Sequence, residues 1–170
     1  MSKPRTPASP QLSPEVVRAV HQRDYPALEQ LVTNTTANLP DSYGRSLLSL
    51  VVNHGDAALL AWLLPKGPAL DQQDRNGWAA LHFAAQAHAV EMAALLLAAG
   101  ATVDVADAYG NTPLWRAAFE SRGRGELLQL LLAHGANPDQ PNDSGASPRQ
   151  LAQTIANFDV KQFFAQQGLR

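Results

Sequence analysis

The residues of this chain that could do acid–base or metal chemistry are five histidines, at positions 21, 54, 82, 88 and 134, and fifteen aspartates and glutamates. Their spacing argues against both. No H-E-x-x-H, no G-x-S-x-G and no phosphate-cradling G-x-x-x-x-G-K occurs. His82 and His88 are spaced so that they leave a single helix on different faces. His54 and His88 fall near the ends of corresponding helices and could approach one another, but a metal would want further ligands. Cysteine is absent, which removes disulfides, thiolate nucleophiles and thiolate metal ligands together. Asp71 and Asp74 recur as Asp104 and Asp107, which marks them as turn residues rather than as an acid–base pair in a cleft. No catalytic residue, metal or cofactor is therefore expected.

The elements that carry these side chains recur at a fixed period. Gly44, Gly77 and Gly110 stand 33 residues apart, as do Gly67 and Gly100. Gly110–Gly145 and Gly100–Gly135 are both 35 apart, so two extra residues lie between Gly110 and Gly135. Each period has a turn with Asp and Gly (DSYG, DRNG, DAYG, NDSG), an apolar helix start, a leucine-rich run and a strand-like tail. The turn glycines supply positive φ. Thr112-Pro113 offers a hydroxyl cap and a pre-set φ at a helix start. Gly100 and Gly135 follow leucine runs, where a helix C-terminus wants a left-handed residue. No such unit buries its own apolar face, so neighbours must stack. Hydrophobic content of 45% with only 6% aromatics fits a core of Leu and Ala.

This pattern resembles the ankyrin repeat, whose D-x-x-G-x-T-P-L-H-x-A-A start is matched by DRNGWAALHFAA and DAYGNTPLWRAA. The resemblance implies an all-α solenoid of helix-turn-helix units joined by β-hairpin loops. Three full repeats are expected at 41–73, 74–106 and 107–141, between an N-terminal capping pair at 13–40 and a C-terminal cap at 142–170. Residues 1–12, rich in Pro, Ser and Thr, read as a disordered tail. Ser13-Pro14-Glu15 reads as a helix start, and Trp62 as core. Repeat one departs from the family pattern, with Arg45-Ser46-Leu47-Leu48-Ser49 where x-T-P-L-H is expected. His82 occupies the histidine position that the family uses to bond a neighbouring loop; Trp115 replaces it in repeat three. The extra residues fall in Ser121–Gly125, expected as a flexible loop, with Arg122 and Arg124 offered to an acidic partner as the sharper reading. Asp159 is expected to cap a last helix with Val160, Phe163 and Phe164 packing inward.

Without chemistry, function must lie in the surface. A solenoid offers an extended concave face, and the resemblance implies binding by hairpin tips and first helices. Those positions are Tyr43 and Arg45; Arg75, Asn76 and Trp78; Tyr109 and Asn111; and, on the helices, Asn53, Gln86, Phe119 and Glu120. Tyr43, Trp78, Tyr109 and Phe119 would form an aromatic row, and aromatics with Arg dominate interface energies. The expectation is a non-catalytic protein-binding module, an inhibitor or adaptor for another protein. The alternative is an immunity protein that neutralises a cognate bacterial toxin; a metal-binding or enzymatic protein and a structural homo-oligomer come behind. Net charge of −2 with scattered basic residues excludes nucleic acid as a partner, and no apolar run is long enough for a membrane span. With no apolar leader at its start, the chain is expected to be cytoplasmic and monomeric, and its Ala, Leu and Gln content suggests a small stand-alone bacterial protein.

Overall fold

The computed structural model describes residues 10–167. Among the described residues eight α-helices follow in four pairs, α1 (Pro14–Gln22) and α2 (Tyr25–Leu31), α3 (Leu47–His54) and α4 (Ala57–Leu63), α5 (Ala80–Gln86) and α6 (Val90–Ala98), α7 (Pro113–Glu120) and α8 (Glu126–Ala133), and a ninth, α9 (Pro148–Thr154), closes the series. Most start on a side-chain cap. Ser13, Asp24, Ser46, Asp56, Thr112 and Ser147 each accept the backbone N–H three residues on, which satisfies one of the open donors of a helix start. The tail expected over 1–12 lies for residues 1–9 outside the described residues. Leu12 is buried, and its N–H donates to Pro40 O at 2.8 Å, so this residue of the expected tail packs on the first repeats.

The odd-numbered helices form an inner row in which each packs on the next, and α4, α6 and α8 stack as an outer row. Ala84 and Ala85, like Ala117 and Ala118, are buried where the inner helices meet and let their backbones come close. Leucines fill the layer between the rows: Leu59, Leu60 and Leu63 on α4, Leu96 on α6, and Leu127, Leu128 and Leu131 on α8 are all buried. Each contributes roughly 2 kcal/mol. Trp62, read as core, packs against the core but is only half-buried. Its Nε1–H donates to Glu29 Oε2 at 2.6 Å and Lys66 Nζ lies 4.2 Å from its ring centroid, so its outer side is tied down by charge.

The strand-like tails form no named strand among the described residues; one isolated bridge joins Pro40 and Ser46. They serve as staples between repeats. Asn38 accepts from Ala69 N–H at 2.6 Å, Asp71 from Thr102 N–H at 2.9 Å and Asp104 from Asn137 N–H at 2.9 Å. Burial raises the Asp104 carboxyl above its ordinary pKa, against the pull of that bond. At the C-terminal end, the last helix is a 3-10 segment over Val160–Gln167, with Val160 and Phe164 buried and Phe163 half-buried. Ser121–Gly125 is no free loop. A Cβ on Gly125 would collide with the edge of the Phe163 ring, and one on Gly123 would stand 3.0 Å from Phe158 Cδ1. The two extra residues seat the loop on the C-terminal cap.

Candidate partner-binding surface

All four turns share one geometry. Asp41, Asp74, Asp107 and Asn142 each place Oδ1 within 2.8–3.0 Å of the backbone N–H groups two and four residues ahead. The N–H of the same residue donates back across the loop, to Arg45, Trp78, Asn111 and Ala146 O respectively. A short side-chain acceptor at the first position thus closes each turn, and the tip residues project beyond it.

What differs is how each turn joins the next. Ala108 N–H donates to Asn76 O, and Asp143 N–H to Tyr109 O, both at 3.0 Å. Asn142 Nδ2 adds a bond to Asn111 Oδ1 at 2.8 Å. The third turn is also held from behind: His82 Nε2–H donates to Asn111 O at 3.0 Å, while its Nδ1 accepts from Ala79 N–H at 3.2 Å. Those two bonds fix the neutral tautomer, and full burial lowers the imidazole pKa from 6.5. Between the first and second turns no such bond exists among the described residues. Ser49 stands in the histidine's register and bonds only Ser46 Oγ, at 3.1 Å. The degenerate R-S-L-L-S start leaves that seam open. A groove of about 410 Å³ lies there, lined by Tyr43, Arg45, Asp74, Arg75, Asn76, Trp78 and Phe83. Tyr43 and Arg45 also wall a second recess, of about 460 Å³, against α1.

Beyond the groove the face is built by stacking. Arg116 lies with Cζ 4.4 Å from the Trp78 ring centroid and 5.8 Å from that of Trp115. Trp115 stacks on Phe119 at 5.6 Å with the planes 10° apart. Arg116 also meets Asp107 Oδ2 at 3.3 Å. Asp107 is buried, which alone would raise its pKa, but the bonds it accepts from Tyr109 N–H and from the N–H and Nδ2 of Asn111 bring it below the ordinary value. This carboxylate holds the face together.

Tyr43 and Tyr109 stand at the tips, 65% and 67% exposed, and Phe119 is 55% exposed on the inner row. Arg75, Asn76, Asn53 and Gln86 are exposed, Arg45 and Glu120 partly so. Trp78 is half-buried against Phe83 and Arg116, so the four aromatics are two tips and a stacked cluster rather than one row. Asn111, expected at an exposed tip, is only 6% exposed: its Nδ2 donates to Asp107 Oδ2 at 3.2 Å and its Oδ1 accepts from Asn142, so it braces two turns. Arg122 and Arg124 are exposed but lie on the loop that leans on the C-terminal cap, away from the groove. His54 meets the His21 ring at 5.6 Å and His88 meets Glu126 at 3.4 Å, so each of the two histidines that could have approached one another has a different neighbour. No group of three or more His, Cys, Asp or Glu is placed for a metal among the described residues. Sequence reading passed over Phe83 and Arg116 and took Arg18 only as a solvating residue of the first helix. Phe83 and Arg116 share one repeat register, a signal available from the repeat alignment itself; Phe83 lines the groove and Arg116 covers Trp78.

The family profile described as ankyrin repeats (3 copies) matches residues 16–107 and 48–142. The chain belongs to the ankyrin-repeat family. A Treponema pallidum protein described as ankyrin repeat-containing is 37% identical over 118 residues, 69% of this chain and 39% of that protein. Human SH3 and multiple ankyrin repeat domains protein 2 is 28% identical over 148 residues, 86% of this chain and 8% of that protein. Human ankyrin repeat domain-containing protein 37 is 37% identical over 83 residues, 48% of this chain and 52% of that protein. The chain thus spans about half or less of the length of these relatives. Ankyrin repeats are protein–protein interaction modules and are generally non-catalytic. Among the described residues, no helix is long and apolar enough to cross a membrane.

Proposed function

We propose that this ankyrin chain binds a partner protein along its turn tips and the concave face behind them, and acts by occupying that partner's surface as an inhibitor or adaptor. The observation that carries the reading is the open seam between the first and second turns. There the groove is walled by Tyr43 and Trp78, in a repeat stack otherwise stitched from turn to turn. Exposed Tyr109 and Phe119 extend the same side. Burying one such aromatic is worth roughly 2–3 kcal/mol, so a few of them support a specific complex. An immunity protein is the special case in which the partner is a toxin. The chain is taken to act as a monomer in the cytoplasm.

The test is affinity capture with the intact chain and with a Tyr43→Ala, Phe119→Ala variant. Both side chains are exposed, so circular dichroism should report an unchanged fold. A partner held by the parent and lost by the variant supports the concave-face reading. Its nature then separates the alternatives: a toxin silenced on co-expression marks an immunity protein, and a bridged third protein marks an adaptor. A partner held equally by both proteins contradicts the reading.

A further inference from the structure

The groove at the first seam has a sign as well as a shape. Arg45 is neutralised in place, with Nε 2.9 Å and an η nitrogen 2.8 Å from Asp41 Oδ2. Asp74 keeps its charge at the groove wall, but its Oδ1 is held by the N–H groups of Asn76 and Trp78 rather than by a cation. Arg75, by contrast, has no ion-pair partner among the described residues and lines the groove from its exposed rim. Arg18 makes no ion pair among them either, although its charge reaches Glu15 one turn back on α1, and it lines the recess on the far side of Tyr43. One guanidinium outside any ion pair among the described residues therefore stands in each of two hollows that share Tyr43 as their dividing wall. The floor of the first is aromatic. Trp78 and Phe83 meet edge to face there, with centroids 5.1 Å apart.

An aromatic ring prefers offset or edge-to-face neighbours and buries 150–250 Å². A 410 Å³ hollow with two ring walls takes one such side chain and the backbone that carries it. A guanidinium with no carboxylate of its own is completed by one from outside, in bidentate geometry. The chain's first nine residues hold Lys3 and Arg5 and no carboxylate, so charge disfavours them as the occupant.

We infer that the partner presents a linear acidic segment, with one aromatic side chain seated between Tyr43 and Trp78 and flanking carboxylates on Arg75 and Arg18. This rests on the concave-face reading and narrows it to one chemistry. Electrostatic complementarity of this kind sets partner choice and association rate more than raw affinity.

The experiment is selection of random linear peptides displayed against the full chain, followed by fluorescence polarisation of the enriched sequences. The expected result is enrichment of an aromatic residue flanked by Asp or Glu. Those peptides should bind Arg75→Glu about tenfold or more weakly, because like charges then face one another. They should bind Lys161→Glu unchanged; this control makes the same change in net charge at an exposed site on the C-terminal cap. Enrichment of basic or neutral sequences overturns the inference, as does acidic binding indifferent to Arg75→Glu, or no enrichment at all. If neutral sequences bind and are lost on Tyr43→Ala, the acidic chemistry falls while the concave-face reading stands. If enriched peptides ignore both Arg75→Glu and Tyr43→Ala, both fall together.

Discussion

The repeats at 74–106 and 107–141 are the same object built twice, and they differ in what they offer. Both close a turn with one aspartate accepting two backbone N–H groups, at 2.8 and 2.9 Å for Asp74 and 2.9 and 2.9 Å for Asp107. Both carry a turn glycine whose missing Cβ makes room for the next turn. In the inner helices, however, His82 faces Trp115 in register, Phe83 faces Arg116, and Gln86 faces Phe119. The repeat at 74–106 uses its inner positions for an inter-repeat bond; the repeat at 107–141 uses them for a stack. The lesson is that the turn skeleton sets the fold, and the inner-helix residues are free to set the surface.

That comparison can be broken in three places, in descending order of effect. The largest lies in the shared skeleton. A Cβ on Gly77 would strike Ala108 N, and one on Gly110 would stand 2.8 Å from Asp143 Oδ1, both at positive φ. Gly77→Ala and Gly110→Ala should each cost about 3 kcal/mol, left-handed strain plus overpacking. Gly100→Ala and Gly135→Ala meet nothing within 4 Å and should cost only about 1–2 kcal/mol, the strain alone. Urea denaturation of the four variants checks the order; equal costs would contradict the stacking of turn on turn.

The second contrast lies between the registers. His82→Phe leaves Ala79 N–H without a partner and takes from Asn111 O the second of its two bonds, the Asp107 N–H remaining, and should cost about 2–4 kcal/mol. Trp115 Nε1 has no hydrogen-bond partner although it is buried, so Trp115→Phe loses no hydrogen bond and should cost less than about 1.5 kcal/mol. The smallest effect is a pH dependence confined to His82. Its folded pKa lies below 6.5. A lowered imidazole pKa gives a contribution that is complete above the unfolded value and is lost as pH falls toward the folded one, because the unfolded chain then binds the extra proton. The stability gap between the parent and His82→Phe should therefore shrink from about pH 7.5 to about pH 5.5, while that between the parent and Trp115→Phe stays constant.

Much of the skeleton was legible because it is written in residues with narrow conformational roles. Turn glycines at one period, aspartates at the turn starts and Ser/Thr-Pro pairs at helix starts each have one job, and each does it here. The surface was less legible because its determinants are relations between repeats. That Arg116 covers Trp78 depends on the crossing of α5 and α7, not on either stretch alone. Asn111 looked like a tip residue by position, yet its carboxamide is drawn inward by Asp107 and Asn142. The insertion at 121–125 read as flexible because its composition is Gly, Ser and Arg; the phenylalanines that receive it lie far along the chain. The degenerate R-S-L-L-S start was visible as a departure, but only the missing bond between the first two turns shows that it opens a groove.

The central claim, that the tips and the open seam meet the partner, is tested most directly by amide hydrogen exchange of the chain alone and with its captured partner. The account predicts added protection at 42–46, 75–78 and 108–110, with α4, α6 and α8 unchanged. Protection confined to those outer helices, or to 121–125, would contradict it.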